Sequence, residues 1–367
     1  MGAEYRIDIH TAAGVKLAEV TDFLALSYTR QVNAPGLLTF LLPGDHKIVS
    51  QLEDKAQVIV YRRNPAMGLP AWTADFWGLF RAQRRSYTDR DLIEIRCPGI
   101  LTMLSWRIVA WPAGRGDRST FLNVRAETIA KTLVNYNAGP GATVTNGRVR
   151  DGVIAGLAVQ ADASGGKSMS IDCAWSNLLE TLQKVAATGG GDFDLVKTGA
   201  QEWEFRWYSG QRGTDRTLTQ LFALERGNMA EPEYIYDRLE ERTVAIVGGQ
   251  GGGAGRTVVV RTGPGYLATN DIETFVDASN SATTEALNAS GDSRLEETRA
   301  KQEFKFKVLQ TPASYYGVHY FLGDLVKARY RNINVTQKIV AVTISLDKDG
   351  AEKIDVEMET QWAGGPD

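Results

Sequence analysis

The chain has 367 residues, of which 43% are hydrophobic and 23% charged, and its formal net charge is −3. At ~150 residues per domain this length gives two to four domains, and the balance of apolar and charged residues excludes intrinsic disorder. Two cysteines are too few for a disulfide scaffold or a four-cysteine zinc site, no apolar run reaches the length of a membrane span, and the N-terminus lacks a signal-peptide core. We therefore expect a folded protein that is made in a reducing cytoplasm.

The first hundred residues predict β-structure. Alternating apolar residues indicate a strand over residues 24–32, and the turn cluster Asn33–Gly36 precedes a second strand over Leu37–Leu42. Further strands are predicted over Gln57–Arg62, Phe76–Tyr87 and Leu92–Cys97, with a hairpin turn at Thr88–Asp91. Short strands at close spacing favour a small barrel or sandwich.

The pattern changes after Pro98–Gly99 and becomes partly helical. We predict a short helix over Ile100–Val109, a loop over residues 111–118, and two amphipathic helices over Ala126–Val134 and Trp175–Ala186, the second capped by Gly189. Residues 138–168 are predicted as a long loop or weak strands, and two strands follow over Phe193–Lys197 and Trp203–Tyr208.

From Glu233 the chain again predicts β-structure. Strands are predicted over Tyr234–Val247, Thr257–Arg261, residues 304–308, Tyr320–Tyr330, Thr336–Leu346 and Lys353–Met358, with a hairpin turn at Asp347–Gly350. A polar surface helix is predicted over Thr284–Arg299, weakened by Gly291.

The predicted fold is mainly β with an α+β insertion, in which two small β-barrels flank an α+β domain. Residues 1–110 form the first barrel, and residues 111–225 form the inserted domain with its two amphipathic helices. Residues 226–367 form the second barrel, with a helical insertion near 284–299.

Three motifs resemble ligand loops, and each lacks a required part. Gly248–Gly255 loosely fits a dinucleotide fingerprint, but residues 256–261 favour a strand where phosphate binding needs a helix. Gly165–Ser168 resembles the end of a phosphate loop, but Ala161 replaces the required glycine. Asp347–Gly350 resembles part of a calcium loop without its closing glutamate. We interpret all three as loops or turns.

No catalytic pattern occurs among the titratable residues. The three histidines, His10, His46 and His319, are far apart in the sequence and form no His-x-x-x-His pair, which argues against a zinc hydrolase. Asp192 and Asp194 share one face of a predicted strand, and we interpret them as a solvated face rather than a catalytic pair. We predict no enzyme, no catalytic, cofactor-binding or metal-binding residue, and no cofactor.

The charge is unevenly distributed. Residues 62–118 contain ten arginines and five acids, whereas residues 225–242 contain six acids and three arginines. Ordinary strand faces explain this pattern, and so do complementary surfaces that meet within or between subunits. A nucleic-acid patch ranks third, because the segment lacks the motif of a known binding module.

Several phrases, taken together in their order, resemble one protein family. They are Asn33–Gly36 with Leu38–Pro43, Trp77–Arg81, Gly99–Arg107, Trp175–Leu179, Glu225–Asn228 with Glu231–Tyr234, Phe275–Asp277 and Leu322–Val326. This set resembles the tail-tip hub proteins of siphoviruses, which are similar to contractile-tail baseplate hubs, and it spans about residues 20–358. The candidate family-motif or interface residues are Pro35, Gly36, Phe40, Pro43, Gly78, Arg81, Arg226, Gly227, Asn228, Gly323 and Asp324.

The resemblance implies a structural role in a virion. It implies a homotrimer in which each subunit supplies two β-barrel tube domains, so that the ring stacks on the distal tail protein ring. The ring would surround the channel for the tape-measure protein, through its C-terminus, and for phage DNA in transit. Tail fibre or receptor-binding proteins would be further partners, with no direct membrane segment. The location would be the tail tip, after assembly in the bacterial host cytoplasm.

Two different functions remain open from the residues alone. One is a nucleotide- or phosphate-binding enzyme that uses the Gly248–Gly255 loop. The second is a glycan-binding β module with Trp203 and Trp207 as exposed platforms, although same-face strand tryptophans are more often core.

Overall fold

The computed structural model describes residues 2–87, 89–112, 118–279, 281, 283–346 and 350–361, which form a mainly β structure. The N-terminal region contains β1 (Glu4–His10), β2 (Lys16–Val20), β3 (Ala25–Gln31), β4 (Ala34–Pro43), β5 (Gln57–Asn64), β6 (Leu69–Leu79), β7 (Ala82–Tyr87) and β8 (Asp91–Pro98). The strands predicted within residues 24–42, 57–62 and 92–97 are confirmed.

The single strand predicted over Phe76–Tyr87 is wrong, because the chain passes from one sheet to another inside it. β6 is the edge of a four-stranded sheet with the order β2–β1–β5–β6, whereas β7 pairs with β8 in a different sheet. Between them, the Phe80 amide donates to Ala56 O at 2.8 Å. Thr88, in the predicted hairpin turn, lies outside the described residues.

The central region contains a 3-10 helix and an α+β unit. The 3-10 helix covers Ile100–Trp106, so the helix predicted over Ile100–Val109 is shorter and tighter than expected. The unit consists of β9 (Ser119–Arg125), α1 (Ala126–Asn137), β10 (Leu157–Val159), β11 (Ser168–Cys173), α2 (Leu178–Gly189), β12 (Gly191–Lys197) and β13 (Trp203–Ser209). The loop predicted over residues 111–118 falls largely on residues 113–117, outside the described part of the chain.

Both amphipathic helices are confirmed, but α2 is displaced from its predicted position. It begins at Leu178 because the side chain of Asn177 accepts hydrogen bonds from the amides of Leu179 and Glu180. It ends at Gly189, and the cap is Gly190, which has a φ of +68° and donates its amide to Ala186 O. The predicted cap at Gly189 is therefore one residue too early.

The C-terminal region returns to β-structure. Its elements are β14 (Leu221–Ala223), β15 (Met229–Asp237), β16 (Val244–Gly248), β17 (Val258–Thr262), β18 (Glu273–Asp277), α3 (Thr284–Glu297), β19 (Lys301–Val308), β20 (Leu325–Tyr330), β21 (Ile333–Leu346) and β22 (Glu352–Gln361). The predicted strand Tyr234–Val247 is in fact two strands, and Tyr320–Tyr330 becomes a strand only at Leu325. Residues 347–349 of the predicted turn Asp347–Gly350 lie outside the described residues.

One large sheet joins the two ends of the chain. The main sheet has the order β14–β20–β21–β3–β4–β8–β7, and β22 also pairs with β21. β21 and β3 are antiparallel, with Ile344 opposite Tyr28. Strands from the predicted first and second barrels thus belong to one sheet, and the described strand pairings form open sheets.

Three hydrophobic cores support this arrangement. The main sheet and the sheet β2–β1–β5–β6 enclose one core, which includes Ile7, Phe40 and Val342. The α+β unit has a second core around α1 and α2, which extends back to Leu79 and the 3-10 helix. The third core is small and lies between α3 and the sheet β17–β16–β18.

Gly291, predicted to weaken its helix, has a packing role in α3. A Cβ at this position would lie 2.7 Å from Arg261 Cγ and 2.8 Å from Val247 Cγ2. The helix can therefore approach β16 and β17 closely only because residue 291 has no side chain. None of the described helices is long and apolar enough to cross a membrane.

Candidate functional site

A buried ion network forms where the two sheets of the terminal regions meet. The Asp75 carboxylate on β6 accepts hydrogen bonds from Tyr28 Oη at 2.7 Å, from Arg30 Nη1 at 2.8 Å and from Arg62 Nε at 3.2 Å. Arg62 is only 1% exposed and also donates to Tyr315 Oη at 3.0 Å. We call Asp75, Tyr28, Arg30 and Arg62 the junction network. It joins β3, β5, β6 and the segment before β20.

The charge on Asp75 is held by its arginine partners. Burial alone would disfavour the ionised carboxylate, but Arg62 and then Arg30 outweigh burial and lower the pKa of Asp75 below its ordinary value. Both carboxylate oxygens already accept hydrogen bonds from these groups. Asp75 is therefore suited to anchoring strands rather than to accepting a proton from a substrate.

A second network fixes the α+β unit to the rest of the molecule through Asp192 on β12. The Asp192 carboxylate accepts from Lys338 Nζ at 2.8 Å, from Asn33 Nδ2 at 3.2 Å and from the Arg212 amide at 2.7 Å. Asn33 returns a hydrogen bond, because its Oδ1 accepts from the Phe193 amide at 2.7 Å. One carboxylate thus connects the unit to the β3–β4 turn and to β21.

The interpretation of Asp192 and Asp194 as a solvated strand face is wrong. Asp192 is 1% exposed, and Asp194 forms a 2.6 Å ion pair with Arg212. Burial raises the pKa of Asp194, although Arg212 and Arg30 oppose this effect. The alternation that put both acids on one face was correct, but that face meets another part of the molecule instead of water.

The two networks border a cleft of about 340 Å³, the junction cleft, between β3, β6, β12 and residues 99–101. The charged groups that line it are engaged by the chain itself. In addition to the pairs above, Lys197 Nζ donates to Gln57 Oε1 at 2.6 Å and to Ala200 O at 2.7 Å. Because Lys197 on β12 contacts Gln57 on β5 and Asp192 on β12 contacts Lys338 on β21, the contacts around the cleft fix the α+β unit against both sheets.

Three of the candidate motif residues lie together beside this cleft. Pro35 lines the junction cleft, and the Gly99 amide donates to the carbonyl of Gly36 at 3.3 Å. Gly78 on β6 forms an isolated antiparallel bridge with Gly99. Pro35, Gly36 and Gly78 therefore surround one close backbone contact between the β3–β4 hairpin and the start of the 3-10 helix.

Gly323 and Asp324 form a separate joint. The Asp324 carboxylate is 2% exposed and accepts from the Thr214 amide at 2.7 Å, the Phe321 amide at 2.9 Å and Arg216 Nε at 2.6 Å. The Gly323 amide donates to Ile339 O at 2.9 Å. This joint secures the segment that returns from the α+β unit to the main sheet.

The remaining motif residues lie at other places and form no common surface with these two joints. Asn228 closes the turn after β14, and Gly227 ends its 3-10 helix. Phe40 is in the main core, Pro43 ends β4, Arg81 forms an exposed pair with Asp54, and Arg226 lines a shallow groove. Their role as interface residues stays a prediction.

The loops that resembled phosphate sites are filled by the chain's own side chains. Gly248–Gly255 joins the antiparallel strands β16 and β17, so its interpretation as a loop is confirmed, and Arg256 Nη2 donates to Gly248 O at 3.0 Å. Around Gly165–Ser168, the Glu127 carboxylate accepts from the Gly165 amide at 2.6 Å. Neither loop offers a helix N-terminus to a phosphate, which removes the basis for a nucleotide-binding enzyme at Gly248–Gly255.

Trp203 and Trp207 form no glycan platform, and the histidines form no metal centre among the described residues. Trp203 and Trp207 are each 5% exposed and belong to the core of the α+β unit, so the glycan-binding hypothesis loses its aromatic surface. His10, His46 and His319 lie on separate elements. Within the described ranges, no three His, Cys, Asp or Glu side chains are placed to hold a metal ion.

Several charged residues of the two stretches form ion pairs within the chain. In the basic stretch Arg62 pairs with Asp75, Arg63 with Glu4, Arg81 with Asp54 and Arg85 with Asp91, while in the acidic stretch Glu225 pairs with Arg329 and Glu241 with Arg238. No ion pair found in the described part of the chain joins the two stretches to each other. Arg115 lies outside the described residues.

Comparisons with known proteins agree with this fold along almost the whole chain. The family model of the Siphovirus ReqiPepy6 Gp37-like protein matches residues 6–358. The 43 kDa tail protein of prophage MuSo2 from Shewanella oneidensis is 12% identical with a TM-score of 0.58, and the match covers 97% of each chain. A tail protein from Neisseria meningitidis MC58 is 11% identical with a TM-score of 0.58, over 98% of this chain and 97% of that one.

A chain of the Francisella PdpA–VgrG complex is also similar in fold. It is 7% identical with a TM-score of 0.57, and the match covers 98% of the present chain and 52% of that one. At these identities the likeness concerns the fold alone. A comparison with curated protein sequences gives no significant match.

Proposed function

The chain belongs to the Siphovirus ReqiPepy6 Gp37-like family, and from this premise we propose that it is the structural tail-tip hub of a tailed bacteriophage. In this role it forms a ring that joins the distal tail protein to the tail tip and surrounds the channel for the tape-measure protein and DNA. The protein acts by assembly and not by catalysis.

One observation carries the proposal: the family match and the fold likeness both extend over nearly the entire chain. The family match covers residues 6–358, and the fold of a prophage tail protein covers 97% of the chain. The similarity therefore includes both β-rich ends and the α+β unit between them. A shared module alone would have matched only one of these parts.

We propose that residues 1–110 and 226–367 are the two tube domains and residues 111–225 the inserted domain. The joining of β3 to β21 supports a rigid tube segment, because strands from both ends share one sheet. The core of the α+β unit is distinct from the core between the two sheets, which supports its assignment as an insertion, and Leu79 and the 3-10 helix connect it to residues 1–110. Three copies would place six such tube domains around one axis, in a homotrimer that stacks on the distal tail protein ring.

The charge distribution is compatible with a channel through which DNA passes without being retained. Non-specific DNA affinity comes from phosphate neutralisation by lysine and arginine side chains. Arg62, Arg63, Arg81 and Arg85, all in the basic stretch, are paired with carboxylates of the same chain. We therefore propose DNA as a transient contact, with the tape-measure protein and tail fibre or receptor-binding proteins as the lasting partners.

The decisive experiment determines where the chain lies in purified phage tails and how many copies each tail contains. Mass spectrometry of the tails should detect the chain, and electron cryomicroscopy should place three copies at the tip below the distal tail ring. Absence of the chain from purified tails would overturn the structural role. If the chain is found elsewhere in the tail, or in a copy number other than three, the hub ring is overturned. The coarser proposal of a structural tail protein would then still stand.

A further inference from the structure

A small cleft in the α+β region has an unusual set of side chains. It has a volume of about 230 Å³ and lies between residues 106–110 and residues 148–152, with Trp175 on its rim. Three arginines line it: Arg107, Arg148 and Arg150. We call it the arginine cleft. None of its lining residues lines the junction cleft.

The three guanidinium groups of the arginine cleft lack carboxylate partners in the part of the chain that the structure describes. Arg107 Nη1 donates to Trp106 O at 3.1 Å, and Arg148 donates to the main-chain carbonyls of Arg150 at 2.6 Å and Ile108 at 3.3 Å. Arg150 forms no side-chain hydrogen bond or ion pair with the described residues. Elsewhere in the chain, arginines such as Arg62, Arg216 and Arg261 each hold a carboxylate.

Asp151, the one acidic side chain that lines the cleft among the described residues, does not balance these charges. Asp151 Oδ1 accepts from the Val144 amide at 2.8 Å. Burial lowers the pKa of Arg148, and the neighbouring charges of Arg107 and Arg150 lower it further, although Asp151 opposes them. Three cations and one carboxylate leave two positive charges in this small volume. A bound anion would remove this repulsion.

Arg148 is held in place and still has an unused donor. The residue is 4% exposed, and its Nε is buried without a hydrogen-bond partner. A Cβ at position 152 would lie 2.7 Å from Arg148 Cζ, so Gly152 leaves the space that the guanidinium occupies. A buried unpaired donor costs stability, and this cost is removed if a ligand oxygen accepts the bond.

Trp175 gives the cleft an aromatic wall. Its side chain is 57% exposed, and its backbone has a φ of +57°, a left-handed conformation that is costly for a bulky residue. The Trp175 amide donates to Val109 O at 2.8 Å, which fixes the residue to the edge of the cleft. The backbone thus holds an exposed indole ring beside three cations.

We propose that the arginine cleft binds a phosphate monoester carried on a sugar ring. Arginine donors match the oxygens of a phosphate, and a phosphate monoester carries about −1.5 to −2 charges at neutral pH, which balances the two uncompensated positive charges. The sugar ring lies against the indole of Trp175. The cleft is smaller than most ligand pockets, so it holds one such unit, either a free sugar phosphate or a unit of a phosphate-bearing glycan.

The test is calorimetric titration of the full chain with glucose 6-phosphate at low ionic strength. Arg150→Gln should weaken binding about tenfold, because it removes one charged donor from the phosphate. Arg150 is exposed and has no side-chain partner among the described residues, so this change should leave folding intact. The matched control is Arg84→Gln, which removes an exposed arginine on β7 and should leave the affinity unchanged.

Four further probes separate the parts of the proposal. Glucose should not bind, whereas glucuronate, which carries one negative charge, should bind more weakly than glucose 6-phosphate. Trp175→Asn removes the indole ring and introduces a residue that tolerates the left-handed backbone conformation. This variant should bind glucose 6-phosphate more weakly, whereas its affinity for inorganic phosphate should not change. A phosphate-bearing glycan that binds more tightly than glucose 6-phosphate would identify the polymer as the source, and the reverse order would identify the free sugar.

Specific results would overturn the proposal. Absence of glucose 6-phosphate binding to the native chain at millimolar concentrations would remove the site. Equal loss of affinity in Arg150→Gln and Arg84→Gln would mean that only overall charge matters. Equal affinity for inorganic phosphate and glucose 6-phosphate would remove the role of Trp175. None of these outcomes depends on whether the chain is found at the tail tip.

Discussion

At the scale of single residues, Asp75 is the common acceptor for two arginines of the junction network. Replacing Asp75 with asparagine keeps the shape of the side chain but removes the carboxylate that Arg30 and Arg62 share, and leaves Arg62 with Glu352 at 3.7 Å as its remaining ion-pair partner. Because Arg62 is almost fully buried, we expect Asp75→Asn to lower the free energy of unfolding by about 3–5 kcal/mol. Urea denaturation followed by tryptophan fluorescence measures this change.

The matched control for this change is an ion pair at the surface. Asp54 pairs with Arg81, and their side chains are 65% and 41% exposed. Asp54→Asn should therefore lower the free energy of unfolding by about 1 kcal/mol at most. If both substitutions cost the same small amount, the junction network does not contribute to stability in the way we infer.

The lowered pKa of Asp75 predicts that the free energy of unfolding depends on pH. Since the pKa of Asp75 in the folded protein lies below its ordinary value, its stabilising contribution is fully present above the ordinary aspartate pKa. This contribution is lost as the pH falls through the lowered pKa. The difference in unfolding free energy between the native chain and Asp75→Asn should thus be constant near neutral pH and shrink in acid. A constant difference down to the lowest pH at which the chain folds would contradict this cause.

Asp194 shows what the sequence could and could not predict about such residues. Period-two alternation correctly placed Asp192 and Asp194 on one face of β12. Alternation cannot tell whether that face meets water or another part of the chain, because Asn33, Arg212 and Lys338 come from distant segments. Arg62 shows the same limit, since nothing local distinguishes a buried arginine from an exposed one.

At the scale of elements, position 291 in α3 shows whether packing or helix propensity has the larger effect on the stability of the helix. In an exposed helix, alanine is more favourable than glycine by about 1 kcal/mol. At position 291, however, an added Cβ would collide with the side chains of Arg261 and Val247. We therefore expect Gly291→Ala to loosen α3, with faster hydrogen exchange of its amides.

Ser293→Ala provides the comparison within the same helix. Ser293 is exposed, so the substitution changes propensity without a new contact. Hydrogen exchange in α3 should stay the same or become slower. If hydrogen exchange in α3 also becomes slower in Gly291→Ala, the side chains of Arg261 and Val247 move aside. Helix propensity then has a larger effect on the stability of α3 than packing.

The elements that the sequence predicted well are those with a strong local signal. The apolar stripe of α1 and the alternation of β19 give the positions of these elements closely. The stripe of α2 also predicts a helix, but it places the start three residues too early, because the helix begins after its cap Asn177. The passage from β6 to β7 was missed because apolar and polar residues continue through it without a turn cluster. Only the pairing of each strand with a different partner separates them, and pairing partners are not encoded locally.

At the scale of the whole molecule, Asp192 holds the α+β unit against both ends of the chain. Asp192→Asn removes the charge that pairs with Lys338, so we expect the unit to open before the sheets unfold. Hydrogen exchange in α2 and β12 should become faster while the main sheet remains protected. Glu204→Gln, which removes a surface ion pair with Arg206 inside the same unit, should have little effect. Equal changes in both variants would contradict an anchoring role for Asp192.

If the protein forms the proposed ring, the exposed edge strand β7 is a candidate contact between neighbouring subunits. All six residues of β7 are exposed, and among the described strands it pairs only with β8 at the edge of the main sheet. If β7 contacts a neighbouring subunit, Arg84→Glu should reduce incorporation of the chain into tails while its stability changes by less than about 0.5 kcal/mol. Quantitative mass spectrometry of purified tails measures incorporation, with Lys184→Glu on α2 as the control. Normal incorporation of Arg84→Glu would exclude β7 from the contact.

The pairing of β3 with β21 also affects how the protein is made. The two strands lie more than three hundred residues apart, so a ribosome adding ~5–20 residues per second releases β3 roughly 15–60 s before β21. During this interval the edge of β3 has no native partner and is open to wrong pairing. Folding of the main sheet is therefore completed only after synthesis is nearly finished, and a nascent chain that stops before β21 cannot close it.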